Sequence, residues 1–180
     1  IDPYANAFNE EPNGNCWEKD LTEYNPWNWE RKYEIDSLCY PVWLIHQYVE
    51  NTGAHDVFTP EVKQAFRDIL DVWKLEQNHE NSKYSFVRLN CPPSDTLSRD
   101  GKGEPVGYTG MTWSGFRPSD DSCKYGYLIP SNMFATVVLG YMEQFLREEY
   151  QDEEMAKEAS KLRGEIQEGI RRYGIVKDDT

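Results

Sequence analysis

Four runs of apolar residues recur at helical spacing, two on each side of a stretch, residues 80–130, that carries no such period. A helix with one apolar stripe must bury it, and helices joined by short links pair as αα-hairpins. The chain is therefore constrained to a mainly α fold containing two such hairpins. In the first, Leu38, Val42, Ile45 and Val49 share a face and Gly53 marks the stop. Pro41 lies inside this run, which predicts a first-turn position or a kink. Thr59-Pro60-Glu61 opens the next helix with a capping hydroxyl, a proline at the first position and an acid. Val62, Phe66, Ile69, Leu70 and Trp73 form its apolar face, which predicts a helix to about residue 79.

The second pair begins near Pro130. Met133, Phe134, Val137, Val138, Tyr141, Met142 and Phe145 make a wide stripe, and Glu148 to Glu154 form a solvated charged link. Met155, Ala159, Leu162, Ile166, Ile170 and Tyr173 make the last stripe, which Gly174 ends. Between the hairpins Tyr84, Phe86 and Arg88 alternate with Ser85 and Val87, which predicts a short strand. Residues 105–112 return as its partner across the turn at Gly101-Lys102-Gly103. The expectation is a long loop with a β-hairpin inserted between two αα-hairpins. So long a non-helical segment inside a compact domain points to function. Residues 1–33 show neither period and read as irregular loop.

Charge and composition narrow the ligand. Nineteen basic residues face 32 acidic ones, a net charge of -13. Phosphate backbones and anionic membranes need the opposite balance. No apolar run approaches the ~20 residues of a membrane span, and no signal-peptide pattern opens the chain. Cys16, Cys39, Cys91 and Cys123 form no CxxC pair, and His46, His55 and His79 form no HxxxH or HExxH pattern. Neither a metal site nor a cofactor is expected. Four lone cysteines fit reduced thiols and a reducing compartment such as the cytoplasm. Twelve Tyr, six Trp and seven Phe with scattered carboxylates suit an uncharged ligand, a carbohydrate above all.

Two segments mix Trp, Arg and carboxylates in loops leading toward helices: Trp27 to Ser37 and Tyr108 to Asp121. Sugar sites need that mixture. Indoles cover the apolar face of a pyranose, Arg and Asp bind its hydroxyls, and a carboxylic acid protonates the leaving oxygen. Each residue also has a structural reading. Arg31 and Arg117 read as loop ion pairs. Glu34 and Asp36 read as first-turn acids. Trp29 and Trp113 read as core plugs, and Ser131 and Asn132 as a helix N-cap. Asp121 reads as a capping residue with a low pKa.

The strings WERKYEIDSLCYP (Trp29 to Pro41), YTGMTWSGFRPSDD (Tyr108 to Asp121), YLIPSNMFA (Tyr127 to Ala135) and DPYANAFN (Asp2 to Asn9) resemble glycoside hydrolase family 125. The resemblance extends over essentially the whole chain. It implies an inverting exo-α-1,6-mannosidase on an (α/α)6 toroid, with two of the six hairpins here. Asp121 corresponds to the general acid, with a pKa raised by burial. Arg31, Asp36, Trp113, Arg117, Asp120 and Asn132 correspond to residues that hold the terminal mannose. The ligand implied is a mannose-containing oligosaccharide or N-glycan fragment. The family's HESF-like base motif and WLRD-like string are not found. The expectation is therefore one partial catalytic domain over residues 1–180, inactive alone, marginally stable, with some apolar stripes uncovered. The alternatives are a non-catalytic mannoside-binding or structural helical domain, and another inverting toroid enzyme acting on glucosides.

Overall fold

Helices form where apolar stripes meet local start and stop signals. In the computed structural model, which describes residues 2–176, α1 spans Ile35–Thr52. It ends where Gly53 adopts a left-handed φ of 65° and donates its N–H to Val49 O. Pro41 sits in the second turn, not the first, and the helix continues past it. The proline has no N–H to donate to the preceding turn.

The second helix, α2, spans Pro60–Glu76, and Thr59 Oγ1 caps it by accepting from Val62 N. It stops three residues before the expected end, and a 3-10 turn at His79–Asn81 follows. A single turn at Ser98–Gly101, α3, contains left-handed backbone at Arg99 and Asp100. The helices α4 (Ile129–Glu148) and α5 (Glu153–Gly169) form the second pair. Asp152 Oδ1 caps α5 by accepting from Met155 N at 3.0 Å. A π-turn over Ile170–Gly174 ends the run.

The expected β-hairpin does not form. Among the described residues the one sheet pairs β1 (Ala7–Phe8) with β2 (Asn28–Glu30), inside the stretch that reads as irregular. The alternation at 84–88 is real as burial: Tyr84, Phe86 and Arg88 are buried while Ser85 and Val87 are half-buried. Their backbone groups are satisfied without a ladder. Phe86 N donates to Gly101 O at 3.1 Å, Arg88 N to Thr96 Oγ1 at 3.0 Å, and Val87 makes an isolated bridge with Leu21.

The mainly helical expectation holds, with one change in pairing. The pair α4–α5 packs as a hairpin, whereas α1 packs on α4 and α2 on α5, with little direct contact between α1 and α2. Phe66, Leu70 and Trp73 of α2 meet Leu139, Met142 and Leu146 of α4 and Ala159, Leu162 and Ile166 of α5 in a single core. One apolar flank stays open: Tyr40, Trp43 and Leu44 of α1 and Met133 and Val137 of α4 are exposed. Among the described residues no helix is long and apolar enough to cross a membrane.

Candidate active site

The two loop segments meet at one main-chain oxygen. Tyr33 O accepts from Gly115 N at 3.1 Å and from Phe116 N at 3.0 Å. Ser114 Oγ accepts from Ile35 N at 3.3 Å, so the start of α1 lies against this loop. A Cβ at 115 would stand 3.0 Å from the Trp113 ring, a contact that the indole would have to yield to accommodate. After Phe116 the chain folds back on itself. Arg117 N donates to Asp121 O and Asp120 N to Arg117 O, both at 2.8 Å, while Asp120 takes a left-handed φ of 63°. Lys32 Nζ, ion-paired with Asp95, donates to Asp120 O at 3.0 Å. Asn6 Nδ2 joins Asp120 Oδ1 at 3.2 Å to Glu30 Oε2 at 3.0 Å. The turn is thus fastened to β2 and to the residues that lead into α1, and it brings Asp120 close enough for its charge to act on Glu34.

The charge states differ from the expectation. Asp121 was to be buried with a raised pKa. Instead its side chain is 39% exposed. It accepts from Ser119 Oγ at 2.9 Å and from Arg117 Nη2 at 2.8 Å. The Ser119 hydroxyl first, and the Arg117 guanidinium with it, hold its carboxyl below the usual aspartate range. The carboxyl suited to carrying a proton near neutrality is Glu34, which is 7% exposed. Burial pushes it up to about 7, the charges of Asp36, Asp120 and Glu30 add to the rise, and the Ser37 hydroxyl opposes it. Burial also raises Asp36, whose Oδ1 is sealed from solvent and has no hydrogen-bond partner. The Cys123 thiol is pushed up to about 12, by burial above all, which makes it a poor nucleophile. A cavity of about 350 Å3 opens beside the turn, lined by Arg117, Cys123, Tyr125, Tyr127 and Leu128 among others.

Three expected sugar contacts lie elsewhere. Trp113 is 1% exposed and stacks on His79, ring centroids 3.4 Å apart, and on Tyr33. A ring so enclosed cannot cover a pyranose. Asn132 is fully buried. Its Oδ1 accepts from Thr112 N at 3.0 Å, and its Nδ2 donates to Thr112 O at 3.0 Å and to Leu128 O at 3.1 Å. It clamps the loop to the first turn of α4; the N-cap itself is Leu128. Arg31 is buried, donating to Asp2 Oδ2 at 2.6 Å and to Thr22 Oγ1 at 3.0 Å over the rings of Tyr4 and Tyr84. Arg117 pairs with Asp121 in the turn that also carries Asp120, while Asp36 stands in the first turn of α1. Trp29 is exposed beside Trp17, not in the core. Sequence reasoning passed over Glu34 as a site residue, and Lys32 and Asn6 altogether. Asn6 had a signal in the Asp2 to Asn9 string.

Acceptor-rich carboxyls of unequal proton affinity, one with an unsatisfied buried oxygen, suit a ligand that offers hydroxyl groups. Among the described residues no group of three or more His, Cys, Asp or Glu is placed to hold a metal ion. A helical scaffold that presents such a cluster from its loops has the make-up of a carbohydrate-active protein. Residues 1–180 match the model of a family described as metal-independent alpha-mannosidase (GH125), and the chain belongs to that family. A solved Streptococcus pneumoniae structure is 48% identical, with a TM-score of 0.95 over 99% of this chain and 42% of that one. It is described as a metal-independent alpha mannosidase in a non-productive substrate complex with alpha-1,6-mannobiose. The Meiotically up-regulated gene 157 protein of Schizosaccharomyces pombe is 31% identical over 157 residues. That match covers 82% of this chain and 31% of the relative. The chain therefore spans less than half the length of either.

Proposed function

We propose that these residues form part of an inverting exo-α-1,6-mannosidase on an (α/α)6 toroid, in which Asp121 protonates the glycosidic oxygen. The observation that carries this reading is the pair of hydrogen bonds from Gly115 N and Phe116 N to Tyr33 O, which holds the loop leading to Asp121 against the residues that lead into α1 in a chain of an α-mannosidase family. Asp36, Arg117 and Asp120 hold the terminal mannose. Arg31, Trp113 and Asn132 support that arrangement from behind. The ligand is a mannose-containing oligosaccharide or N-glycan fragment, in keeping with the α-1,6-mannobiose held by the similar structure. Asp121 must gain a proton to act as the acid. A substrate lying over the turn would strip water from it and raise its pKa toward that role.

Inversion also needs a carboxylate base acting on water from the opposite face, roughly 6.5–9.5 Å from the acid. In this reading the base lies outside the 180 residues, and the isolated chain is an incomplete catalytic domain. The test compares mannose release from α-1,6-mannobiose by a family-length protein carrying this segment, by its Asp121→Asn variant and by the 180 residues alone. Turnover is expected only in the first, with the variant still folded. Equal activity in the variant removes Asp121 from the mechanism. Turnover by the 180 residues alone overturns the incomplete-domain reading. Binding without turnover in the family-length protein supports the non-catalytic mannoside-binding alternative.

A further inference from the structure

We infer that Lys32 and Asn6 form a two-point clamp on Asp120 that aims the carboxyl of Asp121, and that both are positioning residues for proton donation to the leaving sugar. The inference rests on the mannosidase reading, in which Asp121 is the acid. It starts from how little Asp121 fixes for itself. Its side chain is 39% exposed, and its hydrogen bonds to Ser119 Oγ and Arg117 Nη2 stay within the turn. The placement of the turn as a whole is set from outside it.

Both chain neighbours of Asp121 are anchored. On one side Lys32 Nζ donates to Asp120 O at 3.0 Å and Asn6 Nδ2 to Asp120 Oδ1 at 3.2 Å. On the other, Ser122 N donates to Ser94 O at 2.7 Å. The two clamp residues are tied to each other, with Lys32 N donating to Asn6 Oδ1 at 3.1 Å. The Lys32 side chain is 2% exposed. A buried ammonium is costly unless it is paired, and its partner is Asp95, whose other oxygen accepts from Arg88 Nη1 at 3.1 Å. Arg88 Nη2 also holds Glu30 Oε1 at 2.7 Å, and Glu30 Oε2 accepts from Asn6 Nδ2 at 3.0 Å. The bonds close a ring behind the turn, through Lys32, Asp95, Arg88, Glu30 and Asn6. Asp120 keeps its left-handed φ of 63°, which a residue other than glycine holds where its surroundings fix it. The rate depends on such fixing, since a misplacement of about 1 Å at a reacting group costs on the order of 100-fold.

The test uses two substrates that differ in their need for an acid. The leaving sugar of α-1,6-mannobiose requires a proton on its oxygen, whereas the phenolate of 2,4-dinitrophenyl α-mannoside departs as a stable anion without one. A family-length protein carrying this segment is compared with its Lys32→Met, Asn6→Ala and Asp121→Asn variants, each checked for folding by circular dichroism. In Lys32→Met, kcat on mannobiose is expected to fall about 100-fold with KM changed less than about threefold, while kcat on the dinitrophenyl mannoside falls less than about fivefold. Asn6→Ala should show the same split with a loss of about tenfold on mannobiose, and it carries the test if Lys32→Met does not fold. Asp121→Asn sets the reference, with the widest split. Equal losses on both substrates, a loss confined to KM, or undiminished mannobiose turnover in the folded clamp variants overturns the clamp. A split in Asp121→Asn without one in the clamp variants overturns the clamp alone. No split in Asp121→Asn overturns the acid assignment, and the clamp with it.

Discussion

His79 Nδ1 lies 2.6 Å from Glu76 Oε2, with both side chains sealed from solvent. Glu76 Oε1 also accepts from Tyr4 OH at 2.7 Å, and its main-chain oxygen accepts from Trp113 N at 3.1 Å. His79 Nε2 faces Lys102 O at 2.8 Å and its ring stacks on Trp113. The end of α2 is thereby bolted to the strand of loop that leads to Asp121. Glu76→Leu should strand the Tyr4 hydroxyl and cost about 3–5 kcal/mol, as breaking a buried pair does. Glu76→Gln should cost less than about 1.5 kcal/mol, because its amide oxygen still serves Tyr4 and its amide group can still hydrogen-bond His79 Nδ1. Urea unfolding of both variants decides the matter. Equal losses would mean that the charge, not the hydrogen bonding, holds the network.

Asn132 makes a second prediction. Its three hydrogen bonds all go to the main chain of Thr112 and Leu128. Asn132→Leu leaves the N–H and C=O of buried Thr112 unpaired, with an expected loss of about 2–4 kcal/mol. A residue serving only to touch sugar would show weaker ligand binding and an unchanged melt. Thermal unfolding without ligand separates the two.

The helices were readable because their signals are local: a stripe such as Val62, Phe66, Ile69 and Trp73, a cap such as Thr59, a stop such as Gly53. The missing β-hairpin shows where local signals run out. Alternation at Tyr84, Phe86 and Arg88 reports which side chains go inward, not whether another strand lies alongside. The neighbourhood of Asp121 was readable from the Tyr108 to Asp121 string. Its charge state was not, because that depends on where Ser119 and Arg117 come to rest. Trp113 misled for a specific reason. A tryptophan among glycines suggested a ligand platform, yet Gly103, Gly115 and Gly126 all sit against its ring. The glycines make room for a buried indole.

That packing yields a paired test. Gly53 and Gly126 have similar left-handed φ values, 65° and 72°. A Cβ at Gly53 meets nothing within 4 Å, whereas one at Gly126 would stand 2.6 Å from Cδ1 and Nε1 of Trp113. Gly53→Ala should cost about 1 kcal/mol from backbone strain alone. Gly126→Ala carries the same strain plus overpacking and should cost roughly 2–4 kcal/mol in total. Near-UV circular dichroism should change only in the second variant, since the shift falls on Trp113. Equal costs would show that the ring moves aside freely.

Glu34 links the site to stability. Its native pKa of about 7 lies above the value near 4.5 for an unperturbed glutamate. Between those two pH values the native state holds a proton that the unfolded state has released, so stability falls as pH rises. The contribution is fully present below about pH 4.5 and fully lost above about pH 7. Asp121 works in the opposite sense. Its lowered pKa adds stability that disappears only in more acidic solution, so the two effects occupy separate windows. Glu34→Gln removes the first slope. At pH 8 the variant should be more stable than the unaltered chain by about 1–2 kcal/mol, less than the full shift implies because relaxation and water penetration soften the penalty on a buried charge. At pH 4.5 the two should unfold alike. Urea midpoints at pH 4.5, 6, 7 and 8 test this directly. A difference of the same size at every pH would trace it to packing and leave Glu34 without its proton.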